Sequence, residues 1–317
     1  MFKEIKDQKQ WDQIVNHSEY NHPLQLWGWG DVKKINNWVP IRVQSEDSKF
    51  AAQILLKKIP GLNRWLAYCP RGPVAPPEEL QSKVGELKEF LRKKKVISLR
   101  IEPSYSDNTK LKHGFHLSRN KILMNKTLRI DLNKTYEQIK SDISSSAKNS
   151  INKSLKNIEV KGWREIDGFI DKFYDIYLDT ASRGRFKLQP KKYYQSILEN
   201  FEDNLDIKMA IDKESGKCLC FLWNAFSKSV TFELYAGMYR SASKTRANYG
   251  VKFNAINDAK NRGSNTYDFN GRLDGGVAEF KKQFGPDEVD LIPTQELRLG
   301  GLSPIVDLSE KIIRAIR

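Results

Sequence analysis

Residues 266–287 read TYDFNGRLDGGVAEFKKQFGPD. A short apolar stretch ends at Asp268. Gly271, Gly275 and Gly276 follow, and Lys281 and Lys282 then sit between Phe280 and Phe284. A glycine-rich loop beside lysines can cradle a phosphate, turn the chain, or floor a site for something larger. A phosphate cradle demands particular spacing, G-x-G-x-x-G between a strand and its helix or G-x-x-x-x-G-K-[ST]. Neither pattern occurs in the chain. Two carboxylates invite a second chemistry. Glu102 in "RIEP" and Asp268 in "YDFNG" each close an apolar stretch. A carboxylate there can receive a proton, bind an ammonium, or cap the following turn.

Other chemistries find little support. Cys69, Cys218 and Cys220 are too few and too badly spaced for a zinc site, and their odd number argues against a disulfide scaffold. His113 and His116 in "KHGFH" have no cysteine or carboxylate cluster beside them and read as loop or strand-edge residues. No Ser/His/Asp or Cys/His arrangement is visible, and neither a metal nor a cofactor is expected. The charge is more informative. With 54 Lys+Arg against 39 Asp+Glu, the formal net charge is +15. Such an excess favours polyanionic partners: nucleic acid, nucleotide phosphates or an anionic membrane surface. A hydrophobic share of 39% and an aromatic share of 11% suffice for real cores. No signal peptide, transit peptide or long apolar run is read, so the expectation is a cytoplasmic protein.

The elements that must position these residues follow a repeated plan. "WVPIRVQSEDSKFAAQILLKKI" reads as two strands around a polar turn, and "NRWLAYCPRGPV" as a third ended by Pro70, Gly72 and Pro73. "PPEELQSKVGELKEFLRKKK" has prolines before it, glutamates in its first turn and lysines in its last, the polarity a helix prefers. "VISLRIEP" is a buried strand. The second half repeats the order: "LDIKMAIDKESGKCLCFLWNAF", "SVTFELYAGMY", the helix "RANYGVKFNAINDAKNRG" ending before Gly263, and "NTYDFNG". Between the halves, "NKTYEQIKSDISSSAKNSINKSLKN" sets Ile139, Ile143, Ala147, Ile151 and Leu155 four apart, with Lys140, Lys148, Lys153 and Lys156 off that row. It reads as an amphipathic basic helix region broken near Ser144–Ser146, its lysines suited to solvent or to phosphates. "FIDKFYDIYLDTASR" is another helix, and "LSPIVDLSEKIIRAIR" a closing one.

A duplicated β-β-β-α-β order resembles two tandem acyl-CoA N-acyltransferase (GNAT-like) domains, an α/β fold of mixed sheets flanked by helices. The expected division is residues 1–126 and 127–302, with a helix at about 303–317 packing back on the first domain. A CoA enzyme of that fold presents an Arg/Gln-x-x-Gly-x-Gly/Ala loop before its main helix, whose N–H groups hold pyrophosphate. The corresponding stretch here is "SASKTRANYGVK", with one glycine, wrongly placed.

The segments "LQLWGWGDVKKINNW", "AYCPRGPV", "LRIEPSYSD", "TLRIDLNKTYEQI", "ELYAGMY", "TYDFNG" and "EFKKQFG" are spread over nearly the whole chain. Through them it resembles the Fem family (FemAB and FemX-like) of aminoacyltransferases. Without a long charged heptad insertion, it is similar to the compact members that lack a coiled-coil arm. The resemblance implies a transferase moving an amino acid from aminoacyl-tRNA to the stem-peptide amine of a peptidoglycan precursor, UDP-MurNAc-pentapeptide or lipid II. Its partners would be those two substrates, not DNA. The protein would act as a monomer in the cytoplasm, with peripheral contact to the inner membrane face left open.

The resemblance also implies site residues. Lys281 aligns with the family's FK lysine, the cation near the tRNA end or the developing oxyanion, with Phe280 and Phe284 directing it and Lys282 solvated. Lys33, or Lys34 beside it, matches a lysine that grips the precursor's diphosphate. Gln189 in "RGRFKLQPKKYY" stands where the family has an arginine, and Lys187, Arg183 or Arg185 is expected to compensate, Lys187 first. Glu102 aligns with an acidic residue near the acceptor peptide. Asp268 ends the equivalent strand, Tyr235 lines a channel or, as an aromatic in a strand, the core, and Arg272 joins the substrate-binding set. Trp27 and Trp29 read as core or pocket wall. Two other readings stay open: an N-acyltransferase using an acyl thioester on an envelope polysaccharide or small amine, and an inactive homologue that binds tRNA or precursor.

Overall fold

A computed structural model describes residues 1–271 and 275–300. The chain divides into two compact units. Residues 1–126 form the first together with the segment that begins at Val289, and Thr127–Glu288 form the second.

The first unit contains β1 (Phe2–Glu4), α1 (Gln8–His17), α2 (Trp27–Lys34), β2 (Val39–Ser45), β3 (Ala51–Lys58), β4 (Trp65–Pro70), α3 (Pro77–Lys93), β5 (Val96–Glu102) and β6 (Phe115–Leu117). The second contains β7 (Lys126–Asp131), α4 (Tyr136–Asp142), α5 (Ser145–Asn157), β8 (Ile158–Gly162), α6 (Phe169–Gly184), α7 (Lys191–Phe201), β9 (Leu205–Asp212), β10 (Cys218–Phe226), β11 (Val230–Met238), α8 (Ala247–Asn261), β12 (Thr266–Asp268) and α9 (Gly276–Lys282). The chain leaves it through β13 (Asp287–Asp290) and ends its described course in β14 (Gln295–Arg298). The sheets run β1-β2-β3-β4-β5-β14-β6 and β13-β7-β12-β11-β10-β9-β8.

Each expected strand-strand-strand-helix-strand series is present, and in both the last strand pairs parallel to the third. β4 pairs with β5 from Trp65↔Val96 to Pro70↔Glu102, and β11 with β12 from Val230↔Thr266 to Phe232↔Asp268. A parallel neighbour requires a crossover, which α3 and α8 supply. In α3 the buried residues Leu80, Val84, Leu87 and Leu91 recur every three or four positions, one face of a helix. Each buried leucine contributes on the order of 2 kcal/mol.

The basic region is two helices, as its serines imply. The Thr135/Gln138 capping box opens α4, Ile143 is extended, and the Ser144 hydroxyl accepts the Ala147 N–H at 3.2 Å to open α5. Strict fourfold spacing fails at its end: Leu155 is 38% exposed and Ser154 is buried instead. Steps of four overshoot the 3.6-residue turn, so the row drifts off the apolar face.

The expected boundary at residue 302 is corrected. The chain returns to the first unit at Val289, because β14 inserts between β5 and β6, pairing Gln295 with both Ile101 and Leu117. Ile292, Leu297 and Leu299 join the first unit's core. The expected closing helix at 303–317 lies outside the described residues, as does Arg272.

Gly285, just past α9, has φ +71°, and a Cβ there would lie 2.5 Å from the Asp142 carbonyl oxygen at the end of α4. Left-handed backbone and a rigid neighbour act together. Gly285→Ala should therefore destabilise the fold by about 2 kcal/mol or more, read as a lower denaturant midpoint at unchanged slope.

Candidate active site

The site in the second unit starts from sheet geometry. β12 ends at Asp268 opposite Phe232, while β11 runs on from Glu233 to Met238 with no strand beyond that point on its β12 side among the described residues. That gap holds a cavity of about 190 Å³. Phe221 and Leu222 of β10, Glu233 and Gly237 of β11, Val251 and Lys252 of α8, and Val277, Phe280 and Lys281 of α9 line it.

Lys281 is buried at 8% exposure, and its ammonium donates to the carbonyls of Phe269 (2.7 Å) and Gly271 (3.1 Å). Those carbonyls converge because the chain turns sharply after β12, with φ +54° at Asn270 and +98° at Gly271. Aromatic contacts orient α9. Phe280 meets Tyr249 edge-on at 4.9 Å and Phe284 at 5.4 Å. Lys282, by contrast, pairs at the surface with Glu288 at 3.0 Å.

Asp268 is wholly buried and holds this turn. Its carboxylate accepts from Thr127 Oγ1 (2.6 Å), Arg129 Nε (2.8 Å) and the Asn270 N–H (2.8 Å), and Thr127 Oγ1 in turn accepts the Gly271 N–H at 2.9 Å. Arg129 is the cross-strand neighbour of Asp268 in the β7–β12 register. The carboxylate is not among the residues lining the cavity.

Two residues that the sequence reading passed over do line it. The Lys252 ammonium, 4% exposed, donates to Glu233 and lies 5.0 Å from the centre of the Phe269 ring. The Tyr267 hydroxyl also donates to Glu233, at 2.8 Å. Burial pulls the Lys252 pKa down, Glu233 opposes it, and the nearby charge of Lys281 adds to the lowering. The available signal was a lysine inside the apolar run of α8 and a glutamate inside that of β11.

The acceptor-side expectations in this unit fall around α6 and α7. Arg183 pairs with Asp179 and donates to the Met238 carbonyl at 2.5 Å. Lys187 is exposed and makes no ion pair among the described residues. Arg185 closes α6 in the left-handed conformation. Gln189 precedes Pro190, which opens α7, and its backbone bonds both Tyr174 and Tyr194. Tyr235 stands half-buried within 6 Å of Tyr177, Tyr194 and Trp223, its pKa pushed far up by burial and then by its tyrosine neighbours.

In the first unit, Lys33 and Lys34 end α2. The Lys33 ammonium lies 4.2 Å from the centre of the Trp29 ring, while Lys34 pairs with Asp31 at 2.8 Å. Trp29 is buried, and Trp27 stacks under the Arg42 guanidinium at 3.4 Å. Glu102 is 3% exposed and receives four donors: Tyr68 Oη (2.5 Å), the N–H groups of Ile122 (3.0 Å) and Leu123 (2.9 Å), and Thr294 Oγ1 (2.5 Å). It staples the end of β5 to the loop before β7 and to the returning segment.

The architecture is that of a tandem GNAT-like protein. It superposes on a tandem GNAT protein of the clavulanic acid pathway with a TM-score of 0.55 at 11% identity, covering 95% of this chain and 99% of that one. On the crystal structure of FemX the TM-score is 0.85 at 17% identity, covering 97% and 99%. The FemAB family model matches residues 111–212 and 221–294, more than half of the chain, which therefore belongs to the FemAB family. A lipid II:glycine glycyltransferase of Staphylococcus aureus (strain USA300) is 24% identical over 267 residues, 76% of this chain and 63% of that protein. One from Staphylococcus haemolyticus (strain JCSC1435) is 25% identical over 214 residues, 61% of this chain and 51% of that protein. The chain thus spans between half and two-thirds of the length of these curated relatives.

Glu102→Ala would strand four donors at once. A loss of about 2–4 kcal/mol of stability is expected, read by thermal or denaturant unfolding.

Proposed function

We propose that this chain is an aminoacyltransferase that moves an amino acid from aminoacyl-tRNA to the stem-peptide amine of a peptidoglycan precursor. The observation that carries the reading is Lys281. An ammonium has three hydrogens, and two are committed to Phe269 and Gly271, which leaves one for the cavity. That is a fixed positive donor beside a space suited to an activated carbonyl.

The chemistry asks for little more. The acceptor amine attacks the ester carbonyl, the carbon–oxygen bond to the ribose breaks, an amide forms, and the proton lost by the amine ends on the departing ribose oxygen. Lys281 stabilises the oxyanion between these steps, and positioning supplies much of the rate. No covalent enzyme intermediate is required. Asp268 acts through the turn that aims Lys281, whereas Glu102 holds the end of β5 and takes no part in the transfer. Lys187 is assigned to the acceptor's phosphates.

The start of α8 favours tRNA over acyl-CoA as donor. Pyrophosphate recognition needs free N–H groups there. Here the Ala247 N–H goes to Thr245 Oγ1 at 3.3 Å and the Arg246 N–H to the Ser243 carbonyl at 3.4 Å.

The test is mass spectrometry of UDP-linked precursor and of lipid II after incubation with the protein and charged total tRNA, and separately with acetyl-CoA. A gain of one amino-acid residue, abolished by ribonuclease, is expected; a gain with acetyl-CoA alone would refute the tRNA donor. Lys281→Met should lower kcat about 100-fold or more.

A further inference from the structure

The cavity contains a charge that this transfer chemistry leaves unused. Glu233 is 5% exposed, and its Oε1 accepts both Lys252 and Tyr267. No described residue donates to Oε2, which keeps accessible surface in a side chain that lines the cavity. Lys252 and Tyr267 therefore hold the carboxylate in one orientation and leave one oxygen for a ligand. Burial first, and Glu233 second, raise the Tyr267 pKa well above its ordinary value, so its hydroxyl remains a donor to Oε1.

The walls supply an anion at Glu233 and a separate cationic donor at Lys281. A ligand that matches both carries a cation and an electron-rich oxygen a few bonds apart. An aminoacyl ester has this form: an α-ammonium, one carbon, and the carbonyl that is attacked. A plain acyl group has only the carbonyl. The size agrees, since about 190 Å³ is below the range of pockets that enclose drug-sized ligands and suits a small aminoacyl group. Phe221, Leu222, Val251 and Val277 make the surroundings apolar, which strengthens an ion pair formed among them.

We propose that Glu233 binds the free α-ammonium of the donor's aminoacyl group, so that this cavity selects aminoacyl donors against plain acyl and N-blocked ones. The proposal rests on the aminoacyl-transfer reading and names the group recognised at that site. Lys252 is the positioning residue that fixes Glu233.

Calorimetric binding of two non-transferable probes tests it: 3′-deoxy-3′-(glycylamino)adenosine and its N-acetyl derivative. The wild-type protein should bind the free amine about tenfold or more tightly than the acetylated probe, the scale of one charged hydrogen bond. Glu233→Gln should bind the two alike. So should the double variant Glu233→Gln/Lys252→Met, which removes the buried pair together and guards against a fold weakened by an unpaired lysine. Equal binding by the wild type overturns ammonium recognition without touching the transfer reading, which the mass gain from charged tRNA decides separately. A preference that survives in both variants overturns the assignment to Glu233. Binding of neither probe overturns the placement of the donor in this cavity.

Discussion

An ammonium taken out of water must be solvated by the protein, and much of the second unit is arranged around that requirement. Burying an unpaired charge costs several kcal/mol, so Lys281 persists at 8% exposure because the Phe269 and Gly271 carbonyls replace its water. Those carbonyls are aimed by the left-handed turn at Asn270 and Gly271, and Asp268 and Thr127 fasten that turn through its N–H groups. Thr127 and Arg129 belong to β7, whose antiparallel register with β12 sets Arg129 opposite Asp268. The lysine's direction thus depends on strand pairing two steps away. From the other side, the contacts among Phe280, Tyr249 and Phe284 hold α9 where the ammonium can reach.

The two units use one topology to different ends. In the first, β4 and β5 stay paired through Pro70↔Glu102, and the strand end is closed by four hydrogen bonds to Glu102. In the second, pairing stops after three residues while β11 continues, and a cavity occupies the difference. A carboxylate ends the last strand in both, and in both it is consumed by structure. On the proposed function, the reactive position is the next feature along the chain, the lysine that the loop carbonyls grip.

Periodicity and end signals made most elements legible: the leucines of α3, the serine break before α5, and the glycine after α8. What escaped depended on distant partners. β14 is four residues long and gains its place only by bonding to β5 and β6, so nothing local separates it from a loop. Lys281 was legible because flanking phenylalanines imply a directed side chain. Its carbonyl partners lie 10 and 12 residues earlier across a turn that no spacing rule describes. Glu102 and Asp268 were recognisable as strand-end carboxylates, but whether such a group faces solvent or a ring of donors is a property of the assembled sheet. Glu233 and Lys252 were harder still, since each lies within an apolar run and acquires meaning only when the other is placed against it.

On the proposed function, a phosphate contact near Gln189 turns on which nearby cation is available. Arg183 is committed to Asp179 and to the Met238 carbonyl, and moving it to a phosphate would break both contacts. Arg185 occupies the left-handed position that ends α6, so its backbone is set by the helix stop. Lys187 is exposed and makes no ion pair among the described residues, so recruiting it costs only side-chain freedom. A lysine also grips phosphate as a point charge and does not need the planar fork that an arginine brings. On the proposed function, a lysine in place of an arginine gives up bidentate geometry while keeping the charge.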